Sequence, residues 1–482
     1  MEEFPSSSGS EEGFVPDYDF ESSFERLKDS ACFPARLTIL GLKRTNKHLV
    51  MRELLRVKNA QTLDEIKDAV VAAYQDLMAL EIFDAVDIVI DGLDGKHPEA
   101  CSITARFSEK SPIQVHTGTY VQGQEGSVEA SATLTNPLGH AERLNLSGEW
   151  GSRSTTTYSL ALTRARPRGL PYLATARLYQ QFSSFERWSS FTELLRGAET
   201  SLSTEDGRHL VGAGIGWYRL ADPARRASRS VQQQFGEGVR SALKYTFRHT
   251  TFSGEASFPL EGYGVSATSE VGTHSGGPAR GPFFKQRCAA QVALPLGPAA
   301  SLTLAGEAGL LLPLRPAPAA TPSPITDRFF LGGLSGASLR GFSQRGVGPS
   351  DVRRPPPAAG VGAAAAPAAP AAPGGRTRDA LGGDVFCTFL GALNFELPFE
   401  ATRAAGLYAH LFVNGGNVVG LGPACREEAA AFASGFRWSM GAGIVWPTRV
   451  GKLELNLTRV VRAREHDRVK TGVQFGFSPP AF

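Results

Sequence analysis

The chain has 482 residues, with 50 Lys and Arg against 47 Asp and Glu, which is enough for two domains or for one very large barrel and leaves an unremarkable net charge of +3. Its basic residues are spread out and gather in no face or tail, which argues against a nucleic-acid-binding protein. No apolar run reaches about 18 residues, which excludes membrane-spanning helices. A mean hydropathy of −0.14 leaves room for strands that face lipid on one side only. The five cysteines, Cys32, Cys101, Cys288, Cys387 and Cys425, stand far apart without CxxC pairing, so neither a zinc site nor a disulfide framework is expected.

Residues 1–33 open MEEFPSSSGSEEGF and are acidic, serine-rich and poor in hydrophobes, the composition of a disordered tail. They lack the basic segment of a secretory signal and the Arg-rich character of a transit peptide. Residues 34–110 then read as a small α+β module. Ala35–Leu42 alternates as a strand, Asn46–Leu55 reads as a short helix, and Thr62–Leu80 is a longer helix with Ile66, Val70, Ala73, Leu77 and Leu80 on one face. Thr62 and Glu65 form a capping box at its start. Two strands, Val86–Ile90 and Cys101–Phe107, complete a β-α-α-β-β order.

From residue 111 helix signals vanish and strands of 8 to 11 residues follow, as suits tilted spans of a bilayer. In Arg143–Trp150, Leu144, Leu146 and Trp150 oppose Arg143, Asn145, Ser147 and Glu149. Thr157–Arg164 repeats the pattern with Tyr158, Leu160 and Leu162 outward. Lys452–Thr458 sets Leu453, Leu455 and Leu457 against Lys452, Glu454, Asn456 and Thr458. Roughly 22 to 25 residues per strand and connection give about 16 strands, an even number that lets a sheet close, and closure removes edges that hydrocarbon does not tolerate.

Enzyme signals are poor, and no catalytic residue, cofactor or metal is predicted. HSGGP at His274–Pro278 lacks the acidic residue and partner segments of a serine protease. GAGIG at Gly212–Gly216 opens no helix, so it is a glycine-bearing strand and not a phosphate loop. The nine histidines show no metal-ligand spacing.

The most distinctive stretch is DRFFLGGLSGASLRGFSQRGVGPSD, Asp327–Asp351, within a lid loop taken as 320–352. Gly332, Gly333 and Gly336 permit tight turns, and Gly341 lets the chain reverse just after Arg340, so that one guanidinium projects from the tip. An Ala/Pro-rich run, 353–377, follows and reads as a disordered insertion, with the next strand resuming near Leu381–Asp384. At the chain's end Lys470, Gly472, Phe475 and Phe477 mark a last strand, after which Pro479 and Pro480 stop ladder pairing. Ile113–Gly123 is the expected first strand.

DRFFLGG, SLRGF and GVGP together resemble the lid of the BamA-like outer-membrane β-barrel assembly family, and in particular its mitochondrial branch, the barrel subunits of the sorting and assembly machinery. The fold this implies is mainly β: a transmembrane β-barrel of about 16 strands at 111–482, preceded by one POTRA domain at 34–110, which the element order and EIFDAVDIVID also resemble. The resemblance makes Asp327, Arg328, Phe329, Gly332, Gly333, Arg340, Gly341, Phe342 and Gly348 the lid's working residues. In that family the arginine docks inside the barrel against acidic or polar groups. The candidates here are Asn394, Glu396 and Asn414. Bacterial relatives carry carboxylates where Asn394 and Asn414 stand, so Glu396 is predicted to supply the charge. Lys470, Gly472, Phe475 and Phe477 match the pattern by which mitochondrial barrels are sorted.

The resemblance implies insertion of β-barrel precursors into the mitochondrial outer membrane through a lateral gate between first and last strands, with the POTRA domain in the intermembrane space. Its implied partners are unfolded porin-like precursors, metaxin-like peripheral subunits, intermembrane-space chaperones, an inner-membrane contact-site complex and the lipid bilayer. A translocating or passive pore and a structural part in membrane contact sites stand as alternatives.

Overall fold

The computed structural model describes residues 28–92, 99–122, 125–152, 155–252, 260–277, 280–314, 323–334, 339–355, 377–421, 432–448 and 451–478. The acidic tail before residue 28, Gly336, Cys425, Pro479, Pro480 and all but the ends of the Ala/Pro insertion lie outside them. The chain divides into two compact units, Met1–Lys110 with Leu138–Ala141, and Ser111–Pro137 with Glu142–Phe482.

The first unit contains β1 (Phe33–Leu40), α1 (Lys47–Lys58), α2 (Leu63–Ala79), β2 (Phe83–Gly92) and β3 (Ala100–Glu109). β3 is central, parallel to β1 and antiparallel to β2. Its alternate residues Ile103, Ala105 and Phe107 are buried, as are Val50 and Leu54 of α1 and Ile66, Ala73 and Leu77 of α2. The two faces of this pattern follow from a strand period of two meeting a helix period of 3.6. The start of α2 differs from the predicted capping box. Thr62 accepts from Glu65 N at 3.3 Å, but the Glu65 carboxylate reaches past Thr62 to accept from Gln61 N at 2.9 Å. α1 is capped by Asn46, whose side chain accepts from His48 N, and runs to Lys58 instead of Leu55.

Among the described residues, the second unit is built on one antiparallel sheet of 16 strands. Up to the lid it comprises β4 (Ile113–Gln122), β5 (Glu125–Thr135), β6 (Glu142–Gly151), β7 (Thr156–Ala165), β8 (Tyr172–Ser184), β9 (Thr192–Thr204), β10 (His209–Ala221), β11 (Gly236–Thr250), β12 (Gly262–Ser275), β13 (Gly281–Gly297) and β14 (Ala300–Pro313). Two three-residue strands, β15 (Ser350–Val352) and β16 (Arg378–Ala380), pair with each other at the ends of the insertion. The large sheet resumes with β17 (Val385–Glu396), β18 (Tyr408–Val419), β19 (Arg437–Thr448), β20 (Gly451–Arg462) and β21 (Gly472–Ser478). Every strand pairs with its sequential neighbour, β14 pairing with β17, and the two edges are β4 and β21. No helix of the described residues is long and apolar enough to cross a membrane.

The sheet is rolled. Arg378 and Asp379 are adjacent, yet the Arg468 guanidinium, between β20 and β21, donates to Arg378 O, while Ser190 Oγ, between β8 and β9, donates to Asp379 at 2.7 Å. In a flat sheet about ten strand spacings of ~4.8 Å would hold these two connections nearly 50 Å apart. The face turned inward is the polar one: Glu454, Asn456 and Thr458 are buried, whereas Leu455 and Leu457 are exposed. The same split separates exposed Leu146, Leu160 and Leu162 from the polar residues that alternate with them.

Candidate functional site: the lid and the strands that hold it

Glycine chemistry sets the path of the lid. Gly341 has φ +86°, and a Cβ there would stand 2.9 Å from Val460 Cγ2 and 3.1 Å from Ser439 Cβ, so both the turn and the fit require glycine. The reversal drives Phe342 into an apolar cluster with Leu331, Leu339, Val347, Phe329, Phe386 and Val418. The Phe329 ring packs tilted against Phe386 with centroids 4.7 Å apart, and Phe329 exchanges two backbone hydrogen bonds with Gly383. Gly348 passes close over Val418. Arg328 serves the loop itself, donating to Ser323 Oγ at 2.8 Å and to Leu381 O at 3.1 Å.

The tip docks on the last strands of the sheet. Arg340 Nε donates to Glu454 at 3.0 Å, and Nη2 donates to both Glu454 oxygens at 2.9 and 2.8 Å. The guanidinium also lies 5.2 Å from the ring centre of Phe412. Both partners are buried, and Glu454 accepts further from Asn456, which in turn hydrogen-bonds His410 Nε2 at 2.7 Å. This two-pronged, charge-assisted geometry suits a planar guanidinium and cannot be reproduced by an ammonium.

The backbone is held as firmly as the charge. Gly341 N donates to Gln474 Oε1 at 3.0 Å, Lys470 N to Gly341 O at 2.8 Å, Ser343 N to Arg468 O at 2.9 Å, and Arg468 N to Gly346 O at 2.8 Å. The lid tip thus pairs with the segment that leads into β21. On β21 itself, Gly476 leaves the space that the Leu334 side chain of the lid occupies.

The sequence-predicted docking residues divide. Glu396 does not hold Arg340. It is half-buried at the end of β17 and its cationic neighbour is Arg403, at 3.6 Å. The carboxylate is Glu454, three strands further on, because the lid crosses to β20 before its tip turns. Asn394 faces inward but bonds across to β14, donating to Thr303 at 2.7 Å and Ser301 at 3.3 Å. Asn414 reaches the lid through one intermediary. Ser439 Oγ lies 2.5 Å from Arg340 O and 2.6 Å from the Asn414 amide oxygen, but it has a single proton to donate. Asn414 Nδ2 is otherwise unsatisfied. Turning the amide so that Nδ2 donates to Ser439, and Ser439 to Arg340 O, satisfies the buried donor and the carbonyl together. Of the end-strand residues, Lys470 meets the lid through its backbone, Phe475 faces outward, and Gly472 has φ +101° with open space beside it. The Phe477 side chain lies outside the described residues, though its backbone pairs with Leu453.

Three further anchors hold the loop; of their residues only Asp327 was expected, as a lid residue, and its partners were not. Asp327, at the root of the lid, lies 2.6 Å from His274 Nε2 of β12 and 3.1 Å from Arg240 Nε of β11. Burial pushes its carboxyl up, but the His274 hydrogen bond and the charges of Arg240 and Lys285 outweigh this and hold it below the usual carboxylate range. Arg345, at φ +53°, has its guanidinium 4.0 Å from the ring centre of Phe330 and 4.3 Å from that of Phe185. Beyond the tip, buried Asp379 accepts from Ser190 Oγ, Ser228 N and, at 2.7 Å, Arg353 Nε. His274 was visible only as a misfit in HSGGP, and Glu454 only as one member of a polar face.

A family model described as the Omp85 superfamily domain matches residues 136–479. The chain belongs to the Omp85 superfamily. It is 29% identical to the sorting and assembly machinery component 50 homolog of Bos taurus, over 97% of this chain and 94% of the relative. The human homolog is 28% identical over the same shares, and a SAM50-like protein of Schizosaccharomyces pombe is 27% identical over 95% and 93%. Among solved structures, BamA from Haemophilus ducreyi lacking POTRA domains 1–3 aligns with a TM-score of 0.70 at 16% identity, covering 92% of this chain and 84% of that one. The Omp85 fold is therefore that of an outer-membrane β-barrel, here with one small α+β unit ahead of the sheet.

Proposed function

We propose that this Omp85 protein inserts and assembles β-barrel precursors in the mitochondrial outer membrane, using the line between β4 and β21 as a lateral gate. The observation that carries the reading is the placement of the lid. Arg340 is clamped by Glu454 on β20, and Gly341 and Ser343 pair with Lys470 and Arg468 on the way into β21, an edge strand of the sheet. A lid fastened beside a free edge keeps that edge in shape without occupying its hydrogen-bonding groups. An incoming precursor strand then pairs with β4 through main-chain hydrogen bonds, and successive hairpins enter lipid already satisfied. Burial and hydrogen bonding supply the energy, with no nucleotide.

On this reading the single α+β unit is a POTRA domain in the intermembrane space, where chaperones deliver unfolded porin-like clients. Metaxin-like peripheral subunits complete the complex. The relatives named as sorting and assembly machinery components support a place in a membrane assembly complex that acts on β-barrel clients. Depleting the protein and following newly imported porin tests the proposal. Stalled assembly with intact import is expected, and normal assembly overturns it.

A further inference from the structure

Two of the cysteines that stand far apart in sequence meet in the first unit. In the parallel ladder Pro34 is the register partner of Cys101, and Cys32, two residues before Pro34, emerges on the same face because side chains alternate with a period of two. That face also carries Ile103, Ala105 and Phe107, so it is the one that α1 and α2 cover. The backbone fixes Cys32 from both sides: its N–H donates to Gln61 O at 2.9 Å, and the next residue, Phe33, donates to Glu99 O at 2.9 Å. Burial pushes the Cys101 thiol up to about 12, and the neighbouring Cys32 thiol adds to the shift. Both are free thiols in this structure, Cys101 buried and Cys32 half-exposed.

We propose that Cys32 and Cys101 are a redox pair that closes into a disulfide, stapling the entry of the chain to the central strand of the α+β unit. The half-exposed thiol is the one that a disulfide carrier can reach, and the buried one resolves. The Cys32 thiolate attacks a carrier disulfide, expelling one carrier thiolate and leaving a mixed disulfide. Cys101 loses its proton, attacks Cys32 Sγ and expels the second carrier thiolate. Two protein thiols become one disulfide, one carrier disulfide becomes two thiols, and both protons end on the carrier's sulfurs. Because so little of Cys101 is thiolate near neutrality, the second step is slow and gains about tenfold per pH unit. The cross-link sits one residue outside β1, so it forms by side-chain rotation and leaves the ladder pairs of β1 in place.

The full-length protein in detergent micelles, treated with oxidised glutathione, alkylated and digested, tests this by mass spectrometry. The expected product is a peptide linking Cys32 to Cys101, formed faster at pH 9 than at pH 7 and reversed by dithiothreitol. Cys101→Ser should trap Cys32 as the glutathione adduct, and Cys32→Ser should leave Cys101 unmodified. Overturning results are a persistent glutathione adduct on Cys32 of the unsubstituted protein at pH 9, full alkylation of both thiols after oxidation, or a link from either to Cys288 or Cys387.

Discussion

Arg340 and Glu454 stand 114 residues apart in the chain, yet the guanidinium closes on both carboxylate oxygens, with three hydrogen bonds between 2.8 and 3.0 Å. Breaking a buried pair from one side costs ~3 to 5 kcal/mol because the remaining charge has no compensation. Arg340→Ala and Glu454→Gln should therefore each lower the urea midpoint and impair client insertion while the protein stays in the membrane. The double variant Arg340→Met with Glu454→Met should recover much of the stability without recovering insertion. Insertion at the normal rate in the single variants would remove this pair from the mechanism.

Glu396 is the internal control. Its partner is Arg403 at 3.6 Å on a half-exposed surface, and pairs of that kind contribute ~0 to 1 kcal/mol. Glu396→Gln should leave both the urea midpoint and insertion within error of the parent.

At the lid's root, Asp327 is expected to act as a second lock. Its carboxyl is held below its ordinary value of 3.8, so its contribution is complete above that pH and is lost as pH falls through the lower, folded-state value. Asp327→Asn should release the root at neutral pH and abolish this acid-dependent loss. His274→Ala should share the first effect, since it removes the 2.6 Å contact. Limited proteolysis at the lid, compared at pH 7 and below pH 4, reads both.

Gly341→Ala is expected to undock the tip more severely than its single methyl suggests. The residue has φ +86°, and the added carbon meets Val460 and Ser439 together. Strain of ~1 to 3 kcal/mol adds to the clash. The measurement is cross-linking between cysteines placed at Ser343 and Arg468, which should form in the parent and fail in the variant.

The sheet was legible in the sequence because a strand that faces lipid on one side and a polar lumen on the other must alternate, as Leu453–Thr458 does. The lid was legible because Gly341 and Arg340 carry conformational and charge requirements that few other residues meet. Its acceptor was not. Alternation places Glu396 and Glu454 equally on the inner face, and only the path of the loop across β17 to β20 selects between them. His274 was hidden for the same reason: a lone histidine in a strand reveals nothing until Asp327, 53 residues away, is folded against it.

The α+β unit holds a carboxylate whose pH dependence is independent of the membrane. Glu109 accepts backbone hydrogen bonds from Lys43 N at 3.0 Å, Arg44 N at 3.0 Å and Thr45 N at 2.9 Å, fastening the loop ahead of α1. Burial alone would raise its pKa, but these donors dominate and bring it from 4.5 to about 2. A depressed folded-state pKa means that the stabilisation is complete above pH 4.5 and disappears as pH falls from 4.5 towards 2. Glu109→Gln should remove that dependence and lower stability at neutral pH, because the charge is lost and an amide nitrogen in the place of Oε2 faces two donors, Arg44 N and Arg44 Nε, from which it cannot accept. Amide hydrogen exchange at Lys43–Thr45 across this pH range is the measurement. Equal protection in the parent at pH 2 and pH 7 would contradict the role assigned to Glu109.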